Sequence, residues 1–166
     1  VPDLPNVPTE PEPTPPLYVD MSTGEAIYEE DLPDYMDRLS DFIDDLIDET
    51  RQEMDRAIVS YSAYKSGKTR NARGRAWIEG NITRAGNKLI SKLEEIKSNE
   101  DSLKTFAQKC NNPDYLQQLK DAIGDYISSS YYIVDIDGYF SNSRVYNLLS
   151  FTPMSLDDTM DFEYEE

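Results

Sequence analysis

The spacing of apolar residues between positions 32 and 64 restricts this chain more than any other feature. Met36, Leu39, Ile43, Leu46, Thr50, Ala57 and Tyr64 follow three- and four-residue steps or their sum, and Phe42, Ile47, Met54, Ile58 and Tyr61 widen the stripe. A period near 3.6 defines an amphipathic α-helix, whereas a half-buried strand would alternate every second residue. Asp31 is the expected N-cap, and Pro33 falls in the first turn, where its missing N–H costs nothing. The opposite face carries Asp34, Asp37, Asp41, Asp44, Asp45, Asp48 and Glu49, and acids early in a helix suit its positive dipole end. A stripe this wide needs a covering partner, and near-heptad spacing favours a shallow, coiled-coil-like crossing against another helix.

A second segment supplies that partner. Over 76–97, Ile78, Ile82, Ala85, Leu89, Leu93 and Ile96 keep heptad-like steps, with Trp77 and Ile90 beside them. Gly80 and Gly86 lie inside it, each costing about 1 kcal/mol relative to Ala. Such glycines let a neighbouring helix approach closely. Between the two segments, residues 65–75 interleave Lys65, Lys68, Arg70, Arg73 and Arg75 with Gly67 and Gly74. They read as a flexible basic loop or the irregular start of the next helix. Two shorter helices follow, near 100–110 and 113–129. Ser98 or Asn99 can cap the first, which carries Leu103, Phe106, Ala107 and Cys110 on one face. Asn112-Pro113 opens the second, with Leu116, Leu119, Ile123, Tyr126 and Ile127 as its stripe.

Residues 17–28 read as a short hairpin turning through Ser22-Thr23-Gly24-Glu25. Over 131–149, Tyr132, Ile133, Val134 and Ile136 read as a strand and Asp137-Gly138 as a turn. Arg144 to Leu149 is then either a returning strand or a short helix capped by Asn142. Residues 1–17 form a proline-rich acidic arm, a spacer leaning toward polyproline II. Residues 151–166 form an acidic tail interspersed with apolar side chains, either a solvated end or a peptide that orders on a partner. The expected architecture is mainly α: a small helical bundle of three to four helices built on a long antiparallel helical hairpin. Minor β-hairpin elements and extended termini flank a helical domain at 18–150.

The formal net charge is −17 and the pI is near 4.2, which disfavours free nucleic acid and anionic membranes as partners of the whole molecule. The charge is not uniform. Residues 1–64 hold 3 basic and 17 acidic side chains, residues 65–97 hold 9 and 3, and residues 98–166 hold 4 and 13. A basic block between acidic blocks is most simply self-complementary, with Arg84, Lys88 and Lys92 expected near the acidic face of the first helix. The alternative is local phosphate contact through residues 65–92, helped by Trp77.

Several chemistries fail on residue type. The chain has no histidine and one cysteine, which removes His-dependent triads, most zinc sites and any internal disulfide. Ser66-Gly67-Lys68-Thr69 resembles the end of a P-loop, but Ser62 stands where its first glycine belongs. Asp135-Ile136-Asp137-Gly138 suggests a calcium loop, but Ile133 and Arg144 occupy its first and last ligand positions. Cys110 sits on an apolar stripe with no base to activate it. No catalytic, cofactor-binding or metal-binding residue is assigned, and the chain is not expected to be an enzyme. No signal peptide or transmembrane run is visible in it. Val1 fits a processed, trimmed or Met-cleaved start, so the compartment stays open.

What is left is a structural or interaction role in a larger assembly, such as a virion or other particle. Its partners would be other protein subunits, a second copy included. The alternative is an acidic mimic of nucleic acid that blocks a basic DNA- or RNA-binding protein, and a weaker third is a surface adaptor suited by the proline-rich start. The candidate partner-binding residues are Asp41, Asp44, Asp45, Asp48, Arg70, Arg73, Arg75, Trp77, Phe162 and Tyr164.

Overall fold

Entry into the helical body is set by a turn that needs glycine. The structure, a computed structural model, describes residues 14–20, 23–66 and 72–151; the side chains of 62–66, 72 and 73 lie outside that description. Strands β1 (Tyr18–Val19) and β2 (Ala26–Ile27) pair antiparallel, Tyr18 opposite Ile27 and Val19 opposite Ala26. Alternation of faces buries Tyr18 and Ile27 and leaves Val19 and Ala26 outside. Gly24 has φ +75°, and its N–H donates to the Asp20 carbonyl at 2.6 Å, a backbone state that L side chains rarely adopt. The hairpin expected at 17–28 is therefore present, though each strand is only two residues long.

A 3-10 turn at Glu29–Asp31 leads into helix α1 (Leu32–Ser66). Asp31, the expected cap of α1, is the last residue of that turn. Its carboxylate accepts from the Tyr28 N–H at 3.2 Å and so closes the preceding turn. Helix α2 spans Ala72–Ser98, starting four residues before the expected 76. Arg73, Gly74 and Arg75 are thus helical, and the basic break is shorter than it reads, with 67–71 outside the described residues.

Along α1 the buried side chains are Tyr35, Leu39, Ile43, Leu46, Ile47, Thr50, Met54 and Ala57. Along α2 they are Ile78, Asn81, Ile82, Ala85, Leu89, Ile90, Leu93 and Ile96. Most of the two expected stripes is therefore buried, but Met36, Phe42, Ile58 and Tyr61 are only partly so and Trp77 is exposed; Tyr64 lies outside the described side chains, and Tyr35 and Asn81 were not anticipated. The Thr50 hydroxyl donates back to the Leu46 carbonyl at 2.8 Å, so its burial leaves no orphan donor. Asp44 of α1 meets Lys97 of α2, and Met54 meets Gly86, so the contacts run in opposite senses along the two helices. At Gly86 any Cβ would overlap the Met54 side chain.

Helix α3 (Glu100–Cys110) is capped by Asn99, which accepts from the Ser102 N–H at 3.0 Å. Helix α4 (Pro113–Ser129) is capped by Asn112, which accepts from the Asp114 N–H at 3.0 Å, with Pro113 in the first turn. Leu103, Phe106, Ala107 and Cys110 of α3 are all buried, as are Leu119, Ile123, Tyr126 and Ile127 of α4; Leu116 is only partly so.

The strand reading of Tyr132 to Ile136 is wrong, and of the two readings of Arg144 to Leu149 the short helix is the one present. The chain here forms a 3-10 turn at Ser130–Tyr132 and helices α5 (Ile136–Ser141) and α6 (Arg144–Leu149). Capping overrides β-propensity here. Asp135 accepts from the Gly138 N–H at 3.1 Å and Ser143 accepts from the Tyr146 N–H at 3.1 Å. A Cβ at 138 would collide with the Asp135 carboxylate, so the glycine serves a cap rather than a hairpin turn. Asn142 is not the cap of α6; its amide donates to the Gly138 carbonyl at 2.8 Å and closes α5. Val134 is left 86% exposed.

Tyrosine hydroxyls tie these helices to one another. Tyr126 donates to the Ala85 carbonyl, Tyr139 to the Tyr126 carbonyl and Tyr115 to the Leu148 carbonyl, each at 2.7 Å; Tyr61 donates to the Ser128 carbonyl at 3.0 Å.

The Gly86–Met54 approach fixes a sign. Gly86→Ala alone should lower stability by about 1–2 kcal/mol, because overpacking outweighs the gain in helix propensity. In a Met54→Ala background the collision is gone, and Gly86→Ala should stabilise by up to about 1 kcal/mol. Chemical denaturation of the four proteins measures both, and equal signs in the two backgrounds would refute the close-approach account.

Candidate interaction surfaces

The first helix exposes a row of carboxylates. Asp34, Asp37, Asp41, Asp45 and Asp48 all face solvent, separated by three or four residues and so by about 4.5–6 Å along the axis. Of the four acids singled out in the sequence, Asp41, Asp45 and Asp48 belong to this row. Asp44 turns inward and accepts from Lys97 at 2.7 Å, a bond that also raises the pKa of that lysine. Trp77 is 45% exposed near the start of α2 and Arg75 is half-buried. They lie toward the far end of α1 from Asp41, because the two helices run in opposite senses, so these residues do not converge on one site. Arg73 falls in the first turn of α2 with its side chain outside the description, and Arg70, Phe162 and Tyr164 lie outside the described residues.

Arg84, Lys88 and Lys92 do not face the acids of α1 as expected. Arg84 donates to the Asn81 side chain at 2.6 Å, and Lys88 pairs with Asp137 of α5. Lys92 sits 3.9 Å from Glu95 and 5.7 Å from the centre of the Tyr146 ring in α6. Each of the three directly precedes a core residue (Ala85, Leu89 or Leu93), which places it about 100° round the helix from the seam. That face looks toward α5 and α6. Among the described residues, an ion pair that joins α2 to α1 uses Lys97, which the charge blocks alone do not single out.

A small cleft of about 180 Å³ opens beside the hairpin, lined by Asp20, Tyr35, Arg38, Phe42, Cys110 and Leu116. Asp20 is buried and its carboxylate accepts from Arg38 at 2.6 Å. Arg38 also lies 5.6 Å from the centre of the Tyr35 ring. Sequence reading passed over this group because its members come from the hairpin and three different helices. Burial pushes the Cys110 thiol up to about 12 and is also the main cause of the Tyr35 phenol reaching about 12. The thiolate is thereby disfavoured, the reverse of what a nucleophile needs.

No helix among the described residues is long and apolar enough to cross a membrane. Comparison with protein-family models, with curated proteins and with solved structures finds no match to this chain.

The buried acids with raised pKa make stability depend on pH in one direction. The Cys110 thiol and the phenols of Tyr35 and Tyr139 reach about 12, from ordinary values of 9.0 and 10.0, and burial raises Tyr115 and Tyr126 as well. Their protons are held more tightly in the folded chain. The stability they contribute is complete below the unfolded pKa and is lost as pH climbs toward the folded one. The melting temperature should therefore decline progressively from pH 9 to pH 12. Phenolate absorbance should rise together with loss of circular dichroism, and a melting temperature flat across that window would contradict the burial of these groups.

Proposed function

We propose that this chain is a non-catalytic structural or interaction protein, a subunit of a larger protein assembly such as a virion or other particle. In this reading it is a small helical bundle around an antiparallel helical hairpin, contacting neighbours through its arms and its helical body. The observation that supports it is where large apolar side chains stay exposed. Leu17, Val19 and Tyr28 are exposed at the hairpin, beside the start of α1. Val59, Trp77 and Tyr132 are exposed at the other end, where Tyr61 stacks on Tyr131 at 3.8 Å and Tyr131 meets Tyr132 edge-on. The helix between Tyr35 and Tyr61 is about 39 Å long. Scattered exposed apolar residues are ordinary, Val134 beside Arg84 and Lys88 among them; two groups toward opposite ends of α1 suit end-to-end contacts with other subunits, a second copy included.

The row Asp34 to Asp48 favours a second reading, an acidic mimic of nucleic acid. Carboxylates at regular 4.5–6 Å intervals can stand in for a phosphate backbone and occupy the site of a basic DNA- or RNA-binding protein.

One set of measurements separates the two. Under the assembly reading, sedimentation of the full chain shows association that grows with concentration, and Trp77→Ser with Tyr132→Ser weakens it about tenfold with helix content unchanged. The mimic reading expects a monomer, recovered from its native source 1:1 with a basic nucleic-acid-binding protein. Asp41→Asn, Asp45→Asn and Asp48→Asn would then weaken that complex at least tenfold and flatten its salt dependence. The second pattern overturns the assembly reading.

A further inference from the structure

Helix α2 forms one wall of an open groove with Arg84, Lys88 and Lys92, and the opposite side carries Val134, Phe140 and Tyr146. Two adjoining depressions make it, of about 470 and 520 Å³, sharing Asn87 and Lys88. In a chain of net charge −17, three cations in a row beside exposed apolar surface form an unusual patch. The partners of the two lysines are weak competitors: Asp137 and Glu95 are 80% and 73% exposed, where solvent screens an ion pair, while Arg84 donates to the Asn81 side chain.

We propose that this groove holds the chain's own C-terminal segment, residues 152–166, whose carboxylates meet Arg84, Lys88 and Lys92 while its aromatic side chains pack on Phe140, Tyr146 and Val134. Both chemistries match. Asp161, Glu163 and Glu165 alternate with Phe162 and Tyr164, so in an extended segment acids line one edge and aromatics the other. Alternate residues of such a segment recur every ~6.6 Å, and cations four residues apart on a helix recur every ~6 Å. The spacings agree over three charges.

The chain is also in the right place. Its described part ends at Phe151, two residues beyond α6, and α6 itself supplies Tyr146 to the groove. Fifteen further residues can span up to ~50 Å, against ~12 Å from Arg84 to Lys92 along α2. The other acidic candidates fit one wall only. The carboxylate row of α1 in a second copy brings no apolar side chain to Phe140 and Tyr146. The N-terminal arm has only Asp3, Glu10 and Glu12 among its first thirteen residues, and no aromatic.

Carbodiimide coupling of the full chain at low concentration tests this, since it joins a carboxylate to a lysine amine only in direct contact. The expected result is coupling of Lys88 and Lys92 to Asp161, Glu163 or Glu165 in the monomer. Its yield should be at least fivefold above coupling of the same carboxylates to Lys104, Lys109 or Lys120. Phe162→Ser with Tyr164→Ser leaves every reactive carboxylate in place and alters nothing in the folded body; it should lower the yield at least fivefold. A tethered tail that merely collides with lysines would reach Lys109, whose amine lies 5.6 Å from the centre of the Phe151 ring where the tail begins, at least as readily as Lys88 and Lys92, and would ignore the double substitution; either behaviour overturns the proposal. Coupling confined to a dimer assigns the groove to a neighbour's tail, and coupling of Lys88 and Lys92 to Asp34–Asp48 assigns it to a neighbour's α1; both also overturn it.

Discussion

Everything in this fold hangs on one seam, the line along which α1 and α2 bury their apolar edges against each other. Ile43 and Leu46 on one side and Ile82, Leu89 and Leu93 on the other are almost wholly removed from water. Each such side chain contributes on the order of 1.5–3 kcal/mol from burial. Electrostatics adds little along this line. The described ion pair across it, Lys97 with Asp44, is half-exposed on both sides, so solvent screens it. The seam is therefore apolar in energy and steric in register, with Gly86 admitting Met54 at one point.

The rest of the core is closed by tyrosines rather than by aliphatic side chains alone. A phenol brings a large apolar ring and one hydroxyl that must find an acceptor once buried. Here the acceptors are main-chain carbonyls of other helices, at Ala85, Tyr126, Leu148 and Ser128. Such bonds fix one rotation of each helix, because a slip of one residue would leave both groups unpaired. Asn81 serves the same end: its buried amide donates to the Tyr131 carbonyl while its oxygen accepts from Arg84. The core thus gains specificity from polar groups that are all satisfied.

How much of this was legible depended on whether the signal was local. The four long helices, their buried stripes and the caps at Asn99 and Asn112 were readable, because periodicity and capping are properties of consecutive residues. The α5 segment was not, and at α6 strand and helix stayed open. Val134 and Ile136 carry β-propensity, but no described strand pairs with them, whereas Asp135 and Ser143 satisfy helix termini at once. The fate of Arg84, Lys88 and Lys92 was equally hidden. A charge count shows that acids and bases balance, but not which way a helix face turns. That depends on the ~100° step between neighbouring residues and on where α5 and α6 pack. The pairing of Asp20 with Arg38, from a strand end to a helix, carries no sequence signature at all.

The bond between the Val19 N–H and the Asn111 side chain, 3.0 Å long, has a consequence for how neighbours can approach. A two-strand ribbon at the surface invites an extra strand wherever an outward N–H is vacant. On β1 that invitation is withdrawn, because a side-chain oxygen from the end of α3 already occupies the donor. The hairpin is guarded against sheet growth along this margin, and a molecule meeting it there finds side chains such as Leu17 and Val19 rather than a template for zippering.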